Sequence, residues 1–183
     1  WEWAYHPDVL HLLCRFREGL LCDSSTDARR ALRAVIMGGL HGTRNKVEQS
    51  YFSNQCQRSY APKPDYALKY WKTRQLRPQP VDVLKIIRTR AIRAFEYESM
   101  VSTGFIVNGD SRSSASYADI RHVGVRWVIT SPPYYGMRTY LPDQWLRLWF
   151  VGGSANVEYR NTNQLEHPNV QEFTRQLEKV WNN

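Results

Sequence analysis

The chain has 183 residues, a net charge of +8 and a pI near 9.6, long enough for one domain with a sizeable core and basic enough to suit a nucleic-acid partner. Aromatic residues make up 13% of it, seven of them tryptophan, which argues against disorder; no apolar stretch approaches a membrane span, and residues 1–20 lack a signal-peptide layout. Cys14, Cys22 and Cys56 are odd in number and lack metal-ligand spacing, which reads as reduced, buried thiols in a cytoplasmic protein; with five scattered histidines, no metal site is expected.

Residues 1–100 read as mostly helical. Pro7-Asp8 opens an apolar-periodic run to Leu20, and Ser24-Ser25-Thr26-Asp27 offers N-caps for a helix through Ile36. Gly38, Gly39 and Gly42 follow as a helix stop. Pro64 suits the first turn of a helix through Arg74, and Pro80 that of a helix through Glu98, with 75–80 as connector. In the last helix Val83, Ile86, Ile87, Ala91, Ala94 and Phe95 form a core-facing stripe. From Arg58 to Arg93 there are ten Lys or Arg against two acidic residues, interleaved with Tyr60, Tyr66, Tyr70 and Trp71. Lys69, Lys72, Arg74 and Arg77 lie at its centre as candidate phosphate contacts. Taken alone, the same run reads as a solvated basic helix face.

Residues 104–112 are expected to form a strand ending in Gly109-Asp110, and Val125-Arg126-Trp127-Val128-Ile129 a buried strand. The second run delivers Thr130-Ser131-Pro132-Pro133-Tyr134 into a turn, with Ser131 21 residues after Asp110. These residue types suit chemistry on the exocyclic amine of a nucleobase. The Ser131 side-chain oxygen and the Pro132 carbonyl both accept hydrogen bonds. Two successive prolines fix φ and lack N–H groups, so the local carbonyls stay free to accept. Tyr134 offers a flat face for an extruded base. An ordinary Ser-Pro turn is the alternative. A helix containing Gln144-Trp145-Leu146-Arg147-Leu148-Trp149 follows, closed by Gly152-Gly153, and a final amphipathic helix spans 170–181.

The segment Ser131-Pro132-Pro133-Tyr134-Tyr135, preceded by a Gly-Asp strand end and followed by Gly136-Met137-Arg138 and the 141–150 stretch, resembles the catalytic motif of bacterial site-specific DNA amino-methyltransferases. Residues 51–64 resemble a stretch upstream of that motif. The resemblance implies an α/β, partial Rossmann-like fold that uses S-adenosyl-L-methionine, with 1–100 as a helical, basic subdomain and 101–183 as part of the catalytic domain. It implies Ser131, Pro132 and Tyr134 as catalytic residues, Pro133, Tyr134 and Tyr135 as target-base contacts, and Asp110 near the cofactor. Serine at the first motif position tilts the target towards cytosine N4. Adenine N6, in DNA or RNA, is the alternative. DNA is the expected partner, in a bacterial cytoplasm. A restriction endonuclease, or a preceding part of the same protein, is left open as a second partner.

A methyltransferase of this kind needs a glycine-rich turn after its first strand, and none is legible here. Met37-Gly38-Gly39-Leu40-His41-Gly42 comes nearest but reads as a helix stop. Because the chain begins at Trp1, the expectation is a fragment whose cofactor loop lies upstream, inactive in isolation. A non-catalytic nucleic-acid-binding module is the competing reading.

Overall fold

Seven α-helices and one 3-10 turn follow from local sequence signals in the computed structural model, which describes residues 1–42, 49–53, 64–96, 104–120, 123–136, 140–159, 165–166 and 168–182. Helix α1 (Pro7–Cys22) has proline at its first position and His6 as N-cap, the imidazole accepting from the Asp8 N–H. Helix α2 (Asp27–Gly39) is capped by Thr26, whose hydroxyl accepts from the Arg29 N–H at 3.3 Å. Helix α3 spans Pro64–Thr73. Helix α4 (Val83–Phe95) starts later than Pro80, because Asp82 caps it by accepting from the Lys85 N–H at 2.9 Å. Two short helices follow, α5 (Tyr140–Asp143) and α6 (Trp145–Phe150), with Gly152 at φ +105° just beyond α6. Helix α7 (Val170–Trp181) is capped by Asn169, which accepts from the Glu172 N–H at 2.8 Å.

The chain divides into two units, Trp1–Met100 with Thr139–Tyr159, and Val101–Arg138 with Arg160–Asn183. The first unit holds the main core. Helix α2 packs along α4, bringing Ile36 against the stripe of Val83, Ile86 and Ile87, all buried. Val9, Leu13 and Leu20 of α1 and Leu146, Trp149 and Phe150 of α6 join them. Burying each such side chain contributes about 1.5–3 kcal/mol. Around Trp1 the rings of Trp145 and Trp149 close to 4.8 and 4.6 Å between centroids. Arg17 donates to the Trp149 carbonyl at 2.7 Å. Buried polar groups are paired: the Tyr5 hydroxyl donates to the Leu40 carbonyl at 2.7 Å and Ser53 Oγ to that of Ala4.

The expected α/β, Rossmann-like fold is overturned. Among the described residues there is no strand and no sheet. Residues 104–108 and 124–134 form neither helix nor strand, and their apolar side chains face solvent: Ile106 and Ile129 are each 97% exposed and Trp127 is 84% exposed. A buried strand needs a hydrogen-bonding neighbour and cover on both faces. A short apolar run carries no information about whether a neighbour is there. The expectation of buried thiols also needs correction, since Cys14 is half-buried and Cys22 is exposed at the end of α1. Cys56, His122, His167 and most of the 51–64 block lie outside the described residues. Among the described residues no helix is long and apolar enough to cross a membrane, and no cluster of metal-ligating side chains occurs.

His41, next to Leu40, is half-buried, and burial together with the nearby Arg147 charge holds its pKa below the ordinary 6.5. The unfolded chain therefore takes up a proton at His41 before the folded chain does. Stability should be unaffected by this group above about pH 7.5 and should fall as pH drops through about 6.5, by at most about 1.4 kcal/mol per pH unit. Urea titrations at pH 7.5 and 5.5 check this. His41→Gln should flatten the difference, and an equal loss in the variant would remove His41 as its cause.

Candidate target-base loop and basic surface

In the second unit, the segment from Gly124 to the Ser-Pro-Pro-Tyr motif forms neither helix nor strand. Ser131 and Pro132 are exposed, Pro133 is half-buried, and Tyr134 is 63% exposed. Tyr135 turns its ring onto Phe173 of α7, centroids 5.6 Å apart and planes at 56°. Met137, Arg138 and Thr139 lie outside the described residues.

Asp110 sits just ahead of the 3-10 turn Ser114–Ile120, in the same unit. Its carboxylate is taken up by one neighbour. Oδ1 accepts from the Arg112 backbone N–H and from Nε, both at 2.9 Å, and Oδ2 accepts from Nε at 3.1 Å and Nη2 at 2.7 Å. Those hydrogen bonds, side chain first, hold the Asp110 pKa down at about 2. The loop is tied further by Ser116 Oγ donating to the Asp110 carbonyl at 2.7 Å and the Tyr117 hydroxyl to that of Ser111 at 2.9 Å. Arg112 Nη1 then donates to Oε1 of Gln176, a buried amide on α7, at 3.0 Å.

Asp110 and two glycines of the 37–42 segment are taken up by this chain's own side chains. Three N–H groups of Arg112 meet the Asp110 carboxylate, which stays half exposed. Gly39 and Gly42 are covered by aromatic rings. A Cβ on Gly39 would lie 2.9 Å from the Phe52 ring, and one on Gly42 would fall within contact of the Tyr51 ring. Phe52 is also pinned there by its N–H to the Gly39 carbonyl at 2.9 Å.

In the first unit, Lys69 and Lys72 are exposed on α3, and Arg74 and Arg77 are exposed just after it. Both arginines lie over aromatic rings, Arg74 4.0 Å from the Tyr70 centroid and Arg77 3.7 Å from that of Trp3. A stacked guanidinium keeps its edge N–H groups for a phosphate, and the ring limits the entropy lost on binding. Sequence reasoning missed Trp3 and had no means of finding it, 74 positions from Arg77 in the sequence. Tyr70 was findable, four positions before Arg74. Arg90 leaves the basic surface: its Nε donates to the Ser50 carbonyl at 2.9 Å and it lies over Tyr51, so its role is to hold 50–53 against α4.

Changing Lys69, Lys72, Arg74 and Arg77 together to glutamine should weaken duplex DNA binding. Each lost phosphate contact should reduce the slope of log affinity against log salt by about 0.9. An unchanged slope would make these residues a solvated face.

Comparison with protein-family models, with curated proteins and with solved structures finds no significant match to this chain.

Proposed function

We propose that this chain carries the target-base loop of an S-adenosylmethionine-dependent DNA amino-methyltransferase, with cytosine N4 as the favoured target. The observation that carries the reading is the largely exposed Ser131-Pro132-Pro133-Tyr134 segment, whose hydroxyl, carbonyl and aromatic ring are the groups that one flipped nucleobase needs. Ser131 and the Pro132 carbonyl would accept from the exocyclic amine, favouring a pyramidal nitrogen whose lone pair is available. Tyr134 would stack on the base, returning about 1–3 kcal/mol against an extrusion cost of a few kcal/mol. Phosphate contacts from Lys69, Lys72, Arg74 and Arg77 would offset the remainder. The cofactor, when bound, supplies an electrophilic methyl group. The reading carries with it a bacterial, cytoplasmic setting and leaves a restriction endonuclease as a partner.

A specific observation favours a second reading. Asp110 is paired with Arg112, and Gly39 and Gly42 are covered, which suits a nucleic-acid-binding module without cofactor. The deciding experiment incubates the natural protein carrying this sequence with radiolabelled S-adenosylmethionine and duplex DNA, then separates the digested nucleosides. Label in N4-methylcytosine supports the proposal, and label in N6-methyladenine selects the alternative base. Salt-dependent binding with no labelled nucleoside leaves the binding module.

A further inference from the structure

Helix α7 has two buried residues, Phe173 and Gln176, three positions apart and hence on one face. Each holds a different loop of the second unit. Phe173 meets the ring of Tyr135, directly after the target-base motif. Gln176 accepts from Arg112, the residue that closes on Asp110. The Gln176 amide is used at both ends: Oε1 also accepts from the Glu166 N–H at 3.1 Å, and Nε2 donates to Glu172 Oε1 at 3.0 Å. Glu172 is itself held by Arg175, through contacts of 2.6 and 2.8 Å. A buried amide is costly unless its hydrogen bonds are made, so this geometry is set by its partners and not by apolar packing alone.

We propose that α7 is a bracket that fixes the two candidate loops independently. Phe173 is the positioning residue for the Ser131–Tyr134 loop, acting through Tyr135. Gln176 is the positioning residue for the Asp110 loop, acting through Arg112. The consequence for catalysis rests on the target-base reading, whereas the bracket does not.

Backbone 15N relaxation on the 183-residue chain tests the bracket directly. Phe173→Leu keeps an apolar side chain but removes the ring contact. Order parameters over 131–135 should fall from about 0.85 to below about 0.6, while 110–113 stay rigid. Gln176→Met should do the reverse, and Phe173→Tyr should restore the parent values. Should Phe173→Leu unfold α7, Tyr135→Leu removes the same contact from the loop side and should loosen 131–135 with α7 intact. Both loops loosening together in each variant, or neither responding, would overturn the bracket. A methylation assay on the natural protein separates the two proposals. There Phe173→Leu should raise KM for DNA about tenfold while kcat holds. Loop-specific loosening in a protein that never methylates DNA would support the bracket and sink the methyltransferase reading.

Discussion

Ser131→Ala should lower the methylation rate by roughly 10²–10³, the cost of deleting one hydrogen-bonding group from a preorganised site. The side chain is exposed, so the substitution should leave the fold intact and the effect should appear in the chemical step. The Pro132 carbonyl remains as the second acceptor, which is why a residual rate is expected. Tyr134→Ala should act differently, weakening capture of the flipped base by about 1–3 kcal/mol. Tyr134→Phe should be mild, because the ring face and not the hydroxyl meets the base. Single-turnover methylation by the natural protein, with each variant checked for folding, reads both effects. A parent rate in Ser131→Ala would reduce the motif to a turn, and the functional proposal would go with it.

Phe150→Ala should produce the largest loss of stability, about 3–5 kcal/mol out of the 5–15 kcal/mol typical of a domain. Phe150 is 1% exposed and packs edge-on to Trp149, with centroids 6.1 Å apart. Helix α6 is only six residues long and is held by what its side chains bury, so an empty site there cannot be repaired within the helix. Leu148→Ala, on the exposed side of the same helix, is the control and should change stability by no more than about 0.5 kcal/mol. Urea unfolding followed by tryptophan fluorescence compares them. Equal midpoints for the two variants would mean that α6 does not belong to the core.

The two results probe different kinds of legibility. The motif was legible because it consists of residue identities at five consecutive positions, whatever the backbone around it does. Its setting was not. Val125 to Ile129 has the composition of a central strand, yet pairing depends on a neighbour that no local pattern encodes, and the run forms no strand and is open to solvent. Asp110 was expected near a cofactor, whereas its pairing with Arg112 depends on the turn that brings the guanidinium back two residues later.

By itself, the sequence determined the helices and where they start. His6, Thr26, Asp82 and Asn169 accept from N–H groups two or three residues away, and the apolar stripes repeat within single helices. The tertiary structure alone decided which surfaces those helices present. It set Arg77 over Trp3, filled the space beside Gly39 with Phe52, and joined Tyr135 to Phe173, 38 positions further on. Capping and periodicity are interactions over about four residues, so they can be read along the chain. Ring stacking, close packing and strand pairing join residues far apart in sequence, so they exist only once the chain has folded.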